Sequence, residues 1–241
     1  MQYGIQLYSV RDTLAKDYYG TLKAMADLGY KMVETITVPG VEASRVGEWC
    51  RELGLSVSGT HTGAHALTEE NLENTIRDHQ AMDCRLLIIP GHDLSTKEKI
   101  DEFVALVNRA QPELEKAGIT LAYHNHSHEF YPNQDGQIIY HEILNRTKMK
   151  LELDTYWAFN AKKDPVFILD KLGERMIAIH LKDGDEQGHG YPLGMGCAPV
   201  KAVWEKAKEM GLPMIVESET LTPDGLTQAK ICIEYLKQLE K

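Results

Sequence analysis

The chain predicts an α/β fold, a single (β/α)8 barrel domain spanning residues 1–241. Three observations point there. A short apolar run of β-forming residues, followed by an amphipathic helical stretch, recurs eight times. The run cores, such as LLII (86–89), IAI (177–179) and MIV (214–216), are continuously apolar, as in parallel strands covered on both faces. The length, 241 residues, falls in the ~200–250 usual for such a barrel folding as one unit.

Strands are expected at 3–10, 31–36, 55–61, 85–91, 119–126, 150–157, 176–183 and 213–219, and helices near 18–28, 42–53, 68–83, 96–117, 140–147, 165–173, 199–210 and 225–239. Strict alternation of the two implies a parallel sheet. Thr68, followed by Glu-Glu-Asn, is expected to cap the third helix, with acidic groups favouring its N-terminal dipole. Gly29, Gly54, Gly118 and Gly211 each stand where a helix must close before a strand. No GxGxxG follows the first strand, so the usual dinucleotide signal is missing. Two segments interrupt the pattern. Residues 129–143, with Pro132 and Asp135-Gly136, read as a small hairpin after the fifth strand. Residues 183–199 form a glycine-rich loop after the seventh, where long loops commonly carry function.

Composition narrows the partners. Hydrophobic residues make up 43% of the chain and charged ones 26%, enough for a core without disulfide or zinc staples. Acidic residues outnumber basic ones 36 to 26, for a net charge of −10. No nucleic-acid partner is expected, because phosphate binding calls for a basic surplus. The four cysteines lie far apart, at 50, 84, 197 and 232, with no CxxC, against a zinc ribbon or a disulfide framework. The N-terminal MQYGIQLYSVRD lacks a signal-peptide layout, and no apolar run reaches the ~18–20 residues that cross a bilayer. No membrane partner and a cytoplasmic location are therefore expected. A homo-oligomer is compatible with the exposed strand-end loops.

In such barrels the site lies at the C-terminal ends of the strands. Those ends carry Glu34, His61, His92, His124-Asn125-His126 with Glu129, Asp154, His180 with Lys182, and Glu217 with Glu219. Glu129, Asp154, His180 and Glu217, one from each of the last four strands, form the expected metal set. Three carboxylates and an imidazole suit a hard divalent ion: Mn²⁺ first, with Mg²⁺, Co²⁺ or Zn²⁺ as alternatives. Such an ion can chelate sugar oxygens and stabilise an enediolate. His126, Lys182 and Glu217 are the catalytic candidates, the first two as acid and base. Glu34, His61, His124, Asn125 and Trp157 are the expected substrate contacts. Tyr8 and Tyr156 are further candidates for an apolar wall, and His189 and Met195 for closing over a ligand.

These residues carry a resemblance. GIQLYSVRD, LGYKMVE, YHNHSHEF, LELDTYWA, IHLKD, PLGMG and IVES occur in order along nearly the whole chain. In this the chain resembles the sugar phosphate isomerase/epimerase family of xylose isomerase-like TIM barrels, in its YHNH-containing branch. The resemblance implies one divalent metal on ligands from strands five to eight, which by motif are Glu129, Asp154, His180 and Glu217. Many members place a glutamate inside the fifth strand where this chain has Ala122. His124 and His126 are therefore alternatives to Glu129.

The expected function is a metal-dependent sugar isomerase or epimerase moving a proton beside a carbonyl. The alternative is a lyase or dehydratase on an inosose or 3-keto-glycoside. Two other readings are a catalytically silent sugar-binding barrel and a DNA-repair nuclease, the latter opposed by the acidic charge.

Overall fold

In the computed structural model, which describes residues 1–241, eight parallel strands close into a barrel. They are β1 (Gly4–Gln6), β2 (Met32–Ile36), β3 (Ser56–His61), β4 (Leu86–Ile89), β5 (Thr120–His124), β6 (Lys150–Asp154), β7 (Met176–Leu181) and β8 (Met214–Val216). Each pairs with its sequence neighbours, and the ring is shut by Gly4 opposite Ile215 and Ile5 opposite Val216. Helices α1 (Tyr18–Leu28), α2 (Ala43–Glu52), α3 (Leu72–Ala81), α4 (Lys97–Lys116), α5 (Ile139–Arg146), α6 (Pro165–Leu172), α7 (Val200–Met210) and α8 (Gly225–Leu239) surround it. Aspartates start three of them: Asp17, Asp164 and Asp224 accept from backbone N–H groups of the first turns of α1, α6 and α8, as good N-caps do. Gly29, Gly54, Gly118 and Gly211 all take positive φ, the conformation that ends a helix cheaply only in glycine. No helix is long and apolar enough to cross a membrane.

The apolar core is not inside the barrel. Fifty-three buried side chains fill the layer between strands and helices, whereas a separate cluster of three, Leu86, Ile88 and Ala122, plugs the interior, with Ile177 against it. The inner face above that plug is given over to polar groups. The ladder shifts register between Val33 and Glu34 against β3, and between Leu151 and Glu152 against β7. Both irregularities fall at an inward glutamate, and bulges re-aim side chains in this way.

Two expectations about local structure change, and a third gains an anchor. Thr68 does not open the third helix: it follows a 3-10 turn (Ala64–Leu67), its hydroxyl donates to the His65 carbonyl, and α3 starts at Leu72 behind Asn71. The short Ala-His-Ala-Leu segment takes the tighter turn first and displaces the start by four residues. The hairpin after β5 is reduced to one antiparallel bridge, Pro132 with Ile138, closed by a turn in which Gly136 has φ +79°. The rest of its second arm, IYHEI, is spent on α5. The glycine-rich loop is anchored from below, since buried Asp183 accepts from the N–H groups of Gly184, Gly194, Gly196 and Ala198 at 2.8–3.1 Å. A Cβ at position 196 would collide with that carboxylate, which explains the glycine.

Candidate metal centre

Above the apolar plug, the last four strands and the loops after them bring one set of ligand atoms together. Atoms of His124, Asp154, His180 and Glu217, all buried, lie within 4.8 Å of one another. The Glu217 carboxylate stands 3.4 Å from His180 Nδ1 and 3.1 Å from Lys182 Nζ. Asp154 divides its oxygens. Oδ1 caps the short helix Thr155–Asn160 by accepting from Trp157 N–H at 2.8 Å. Oδ2 has no hydrogen-bond partner and lies 3.7 Å from Lys182 Nζ and 4.0 Å from His124 Nε2.

His180 is held from behind. Its Nε2 lies 2.8 Å from Glu34 Oε1, which also accepts from Gln6 Nε2 at 2.6 Å. When the neutral ring donates its Nε2–H to the Glu34 carboxylate, the free lone pair is at Nδ1, on the Glu217 side, and Nδ1 is buried without a hydrogen-bond partner. This is the carboxylate–histidine arrangement that orients a metal ligand. Glu34 is thus 1% exposed and engaged with protein groups. Gly59 leaves room for it, since a Cβ there would sit 2.9 Å from Ile88 and 3.2 Å from the Glu34 carboxylate.

Glu129 does not join the group. β5 ends at His124, and a 3-10 turn (His128–Phe130) folds Glu129 back, where it accepts from His126 N–H at 2.8 Å and Tyr123 OH at 3.1 Å. Tyr123 belongs to the outer core, so Glu129 lies on the far side of the strand, near His126 and His128 instead. His124, expected as a substrate contact, occupies the fifth-strand place.

The other expected residues are distributed as follows. His61 touches Glu34 and Glu152, each at 3.0 Å. Asn125 ties β5 to β6 by accepting from Asp154 N–H at 3.2 Å and donating to the Asp154 carbonyl. Trp157 carries Lys182 Nζ 4.8 Å from its ring. His126 stands 5.1 Å from His124 and 6.1 Å from Trp157, centroid to centroid, with its side chain 36% exposed. His92 is exposed and stacked on Phe103. Tyr8 is exposed beneath Arg11. Tyr156 is buried, its hydroxyl donating to the carbonyls of Asp185 and His189. His189 pairs with Asp185 on the surface, and Met195 is exposed. Glu152, Gln6 and Asp183 were not anticipated. The signal for Glu152 was available: it precedes Asp154 by two, so strand alternation places both on one face.

Electrostatics sort these groups by role. Burial works against the Lys182 charge, but Glu217, Asp154 and Glu219 outweigh it and raise its pKa. It is an ammonium at neutral pH. Burial likewise opposes ionisation of Glu217, yet Lys182 and His180 hold its pKa well below the usual range. Burial raises Asp154 to about 6 despite Lys182. His126 is lowered by burial, against the pull of Glu129, so its imidazole is neutral near pH 7.

The residues present fit a divalent ion. Asp154, Glu217 and Glu219 gather around one ammonium, Lys182, and a bound cation would offset the carboxylate excess. Asp154 Oδ2 and His180 Nδ1 are buried and unpartnered, which is costly for groups of this kind unless something else binds them. A mixed oxygen and imidazole donor set suits Mn²⁺, Co²⁺ or Zn²⁺.

A closed (β/α)8 barrel with such a cluster at its C-terminal mouth defines a class of barrel proteins with a candidate metal centre. A sequence model described as xylose isomerase-like TIM barrel matches residues 22–239. The chain belongs to that family. No curated protein matches it in sequence. Among solved structures it is similar to a sugar phosphate isomerase/epimerase from Parabacteroides distasonis, with a TM-score of 0.86, 23% identity, and 98% of each chain covered. A second protein so named from that organism gives a TM-score of 0.82 at 24% identity, over 98% of this chain and 93% of that one. An L-ribulose 3-epimerase gives 0.70 at 16% identity, over 99% and 94%.

Proposed function

We propose that the protein is a divalent-metal-dependent isomerase or epimerase of a sugar or keto-sugar, moving a proton on the carbon beside a carbonyl. One observation carries the reading: His124, Asp154, His180 and Glu217 converge, buried and partly unpartnered, beside an ammonium at the mouth of the barrel. The names of the similar structures agree with it. Asp154, His180 and Glu217 would hold the ion, with His124 in reach as a fourth donor. When bound, the ion supplies a Lewis acid to substrate oxygens as negative charge grows on them.

The chain's own residues supply the rest. Neutral His126, beside Trp157, takes the proton from carbon and returns it. Lys182 donates a hydrogen bond to the substrate oxygen that gains charge. Trp157, with one face already against Lys182, borders the sugar. A second reading is a lyase acting on a 3-keto-glycoside or inosose, favoured by the same ammonium. A group kept protonated beside a neutral base can serve as acid for a leaving group on the next carbon.

The test is hydrogen exchange. Protein loaded with Mn²⁺ and offered a panel of ketoses in D₂O should place deuterium on the carbon beside the carbonyl, read by NMR. An ultraviolet enone signal from a 3-keto-glycoside, without exchange into ketoses, would favour the lyase. Neither signal from protein shown to hold the metal would sink both.

A further inference from the structure

Behind the imidazoles of His124 and His180 lies a second polar chamber, inside the barrel and above the Leu86–Ile88–Ala122 plug. Glu34, Glu152 and His124 line it at 1%, 0% and 2% exposure, with His61 completing the set. His61 Nε2 lies 3.0 Å from both Glu34 Oε1 and Glu152 Oε2, and His124 Nδ1 lies 3.4 Å from Glu152 Oε2. Ligand atoms of His61, His124, Glu152 and His180 all lie within 4.8 Å of one another.

Hydrogen bonding leaves this chamber unsatisfied. One N–H on His61 Nε2 faces two carboxylates and can serve one well. Glu34 Oε2, Glu152 Oε1 and His124 Nδ1 are buried with no partner at all. Unpartnered buried carboxylate oxygens are among the costlier defects a fold can carry. Two carboxylates and one dication, by contrast, sum to zero charge where the surroundings screen poorly.

We propose that His61, His124 and Glu152, with Glu34 beside them, bind a second divalent cation of the zinc and cobalt class. Two imidazoles and two carboxylates match the tetrahedral preference of Zn²⁺, where bonds near 2.0–2.2 Å put neighbouring ligand atoms roughly 3.3–3.6 Å apart. The spacings here, 3.0–3.4 Å, need only small outward movement. His124 and His180 stand as a shared wall. His124 offers Nδ1 to the inner chamber, and His180 offers Nδ1 to Asp154 and Glu217. With both ions bound, His61 and His124 serve the inner ion and His180 the outer one, which keeps open positions for substrate. The inner ion never meets substrate: it fixes the floor on which the outer one rests.

Metal content after loading with Zn²⁺ and dialysis tests this. The wild-type chain should retain two ions, Glu152→Gln one, and the pair Asp154→Asn with Glu217→Gln also one. Zinc-edge anomalous scattering from wild-type crystals should give two peaks, a readout that needs no variant to fold. If the wild-type chain retains only one ion and Glu152→Gln keeps it, or if the crystals give one peak at Asp154, the inner site is overturned and the proposed function stands. A single ion lost in Glu152→Gln but kept in the Asp154/Glu217 pair does the reverse. No retained zinc overturns both.

Discussion

His126 and His79 show how differently two imidazoles of one fold can be employed. His126 is lowered by burial, so its base form persists below the usual pKa of about 6.5. As the proton-accepting group it should give kcat/KM an acid limb below pH 6.5, and His126→Gln should cut turnover about 10²- to 10⁴-fold. A pH–rate profile with its limb above 7, or a variant near full activity, would remove it from the role. His79 is buried, its Nδ1 2.8 Å from the Thr75 carbonyl and Nε2 2.8 Å from the Thr60 hydroxyl, and burial lowers its pKa. The unfolded chain then binds the proton more readily. Stability from this group is present above pH 6.5 and falls as the pH drops through the unfolded value. Urea titrations between pH 5 and 8 should show that slope, flattened in His79→Gln. The convergence of Asp154, His180 and Glu217 was legible in the sequence because each ends an apolar strand on the same face. Glu129 misled because a carboxylate three residues past His126 looks close along the chain, while the turn carries it outward. Choosing His124 needed the register.

At the scale of elements, strand and helix order was open to reading, since periodicity and glycine stops are local. Turns were less so. The displaced start of α3 and the single-bridge loop after β5 depend on competition between neighbouring conformations that composition alone does not rank. The loop after β7 was recognisable by its glycines but not by its anchor. Removing four charge-assisted hydrogen bonds at once, Asp183→Ala should destabilise the protein by about 2–4 kcal/mol, seen as a lower urea midpoint. Amide exchange should accelerate at Gly194, Gly196 and Ala198 first. Unchanged protection at those three would show that the loop holds its shape by other means.

For the molecule as a whole, the distribution of polarity matters more than its amount. The apolar layer lies outside the strands, and a stack of ionisable groups occupies the axis. That stack is stabilised by whatever neutralises it. An ion bound at 100 times its dissociation constant adds roughly 2.7 kcal/mol, and for a chain of this size a chelator should lower Tm by about 5–10 °C. Calorimetry with and without EDTA, followed by readdition of Mn²⁺, reads this directly; an unchanged transition would mean the axis is balanced by protons instead. Closure of the barrel was foreseeable from eight repeats in so short a chain, while the charged axis depends on residues far apart in sequence. The tethering of the β7 loop to Asp183 also separates two duties along one segment. Its backbone at Gly184 and from Gly194 to Ala198 is dictated by an anchor out of sight of any visitor, while the crest between Glu186 and His189 is held separately, by Tyr156, Asn160, Lys162 and Asp185. Exchanging that crest between relatives, with its own contacts and without touching the Asp183 anchor, should alter what the mouth accepts without loosening the scaffold.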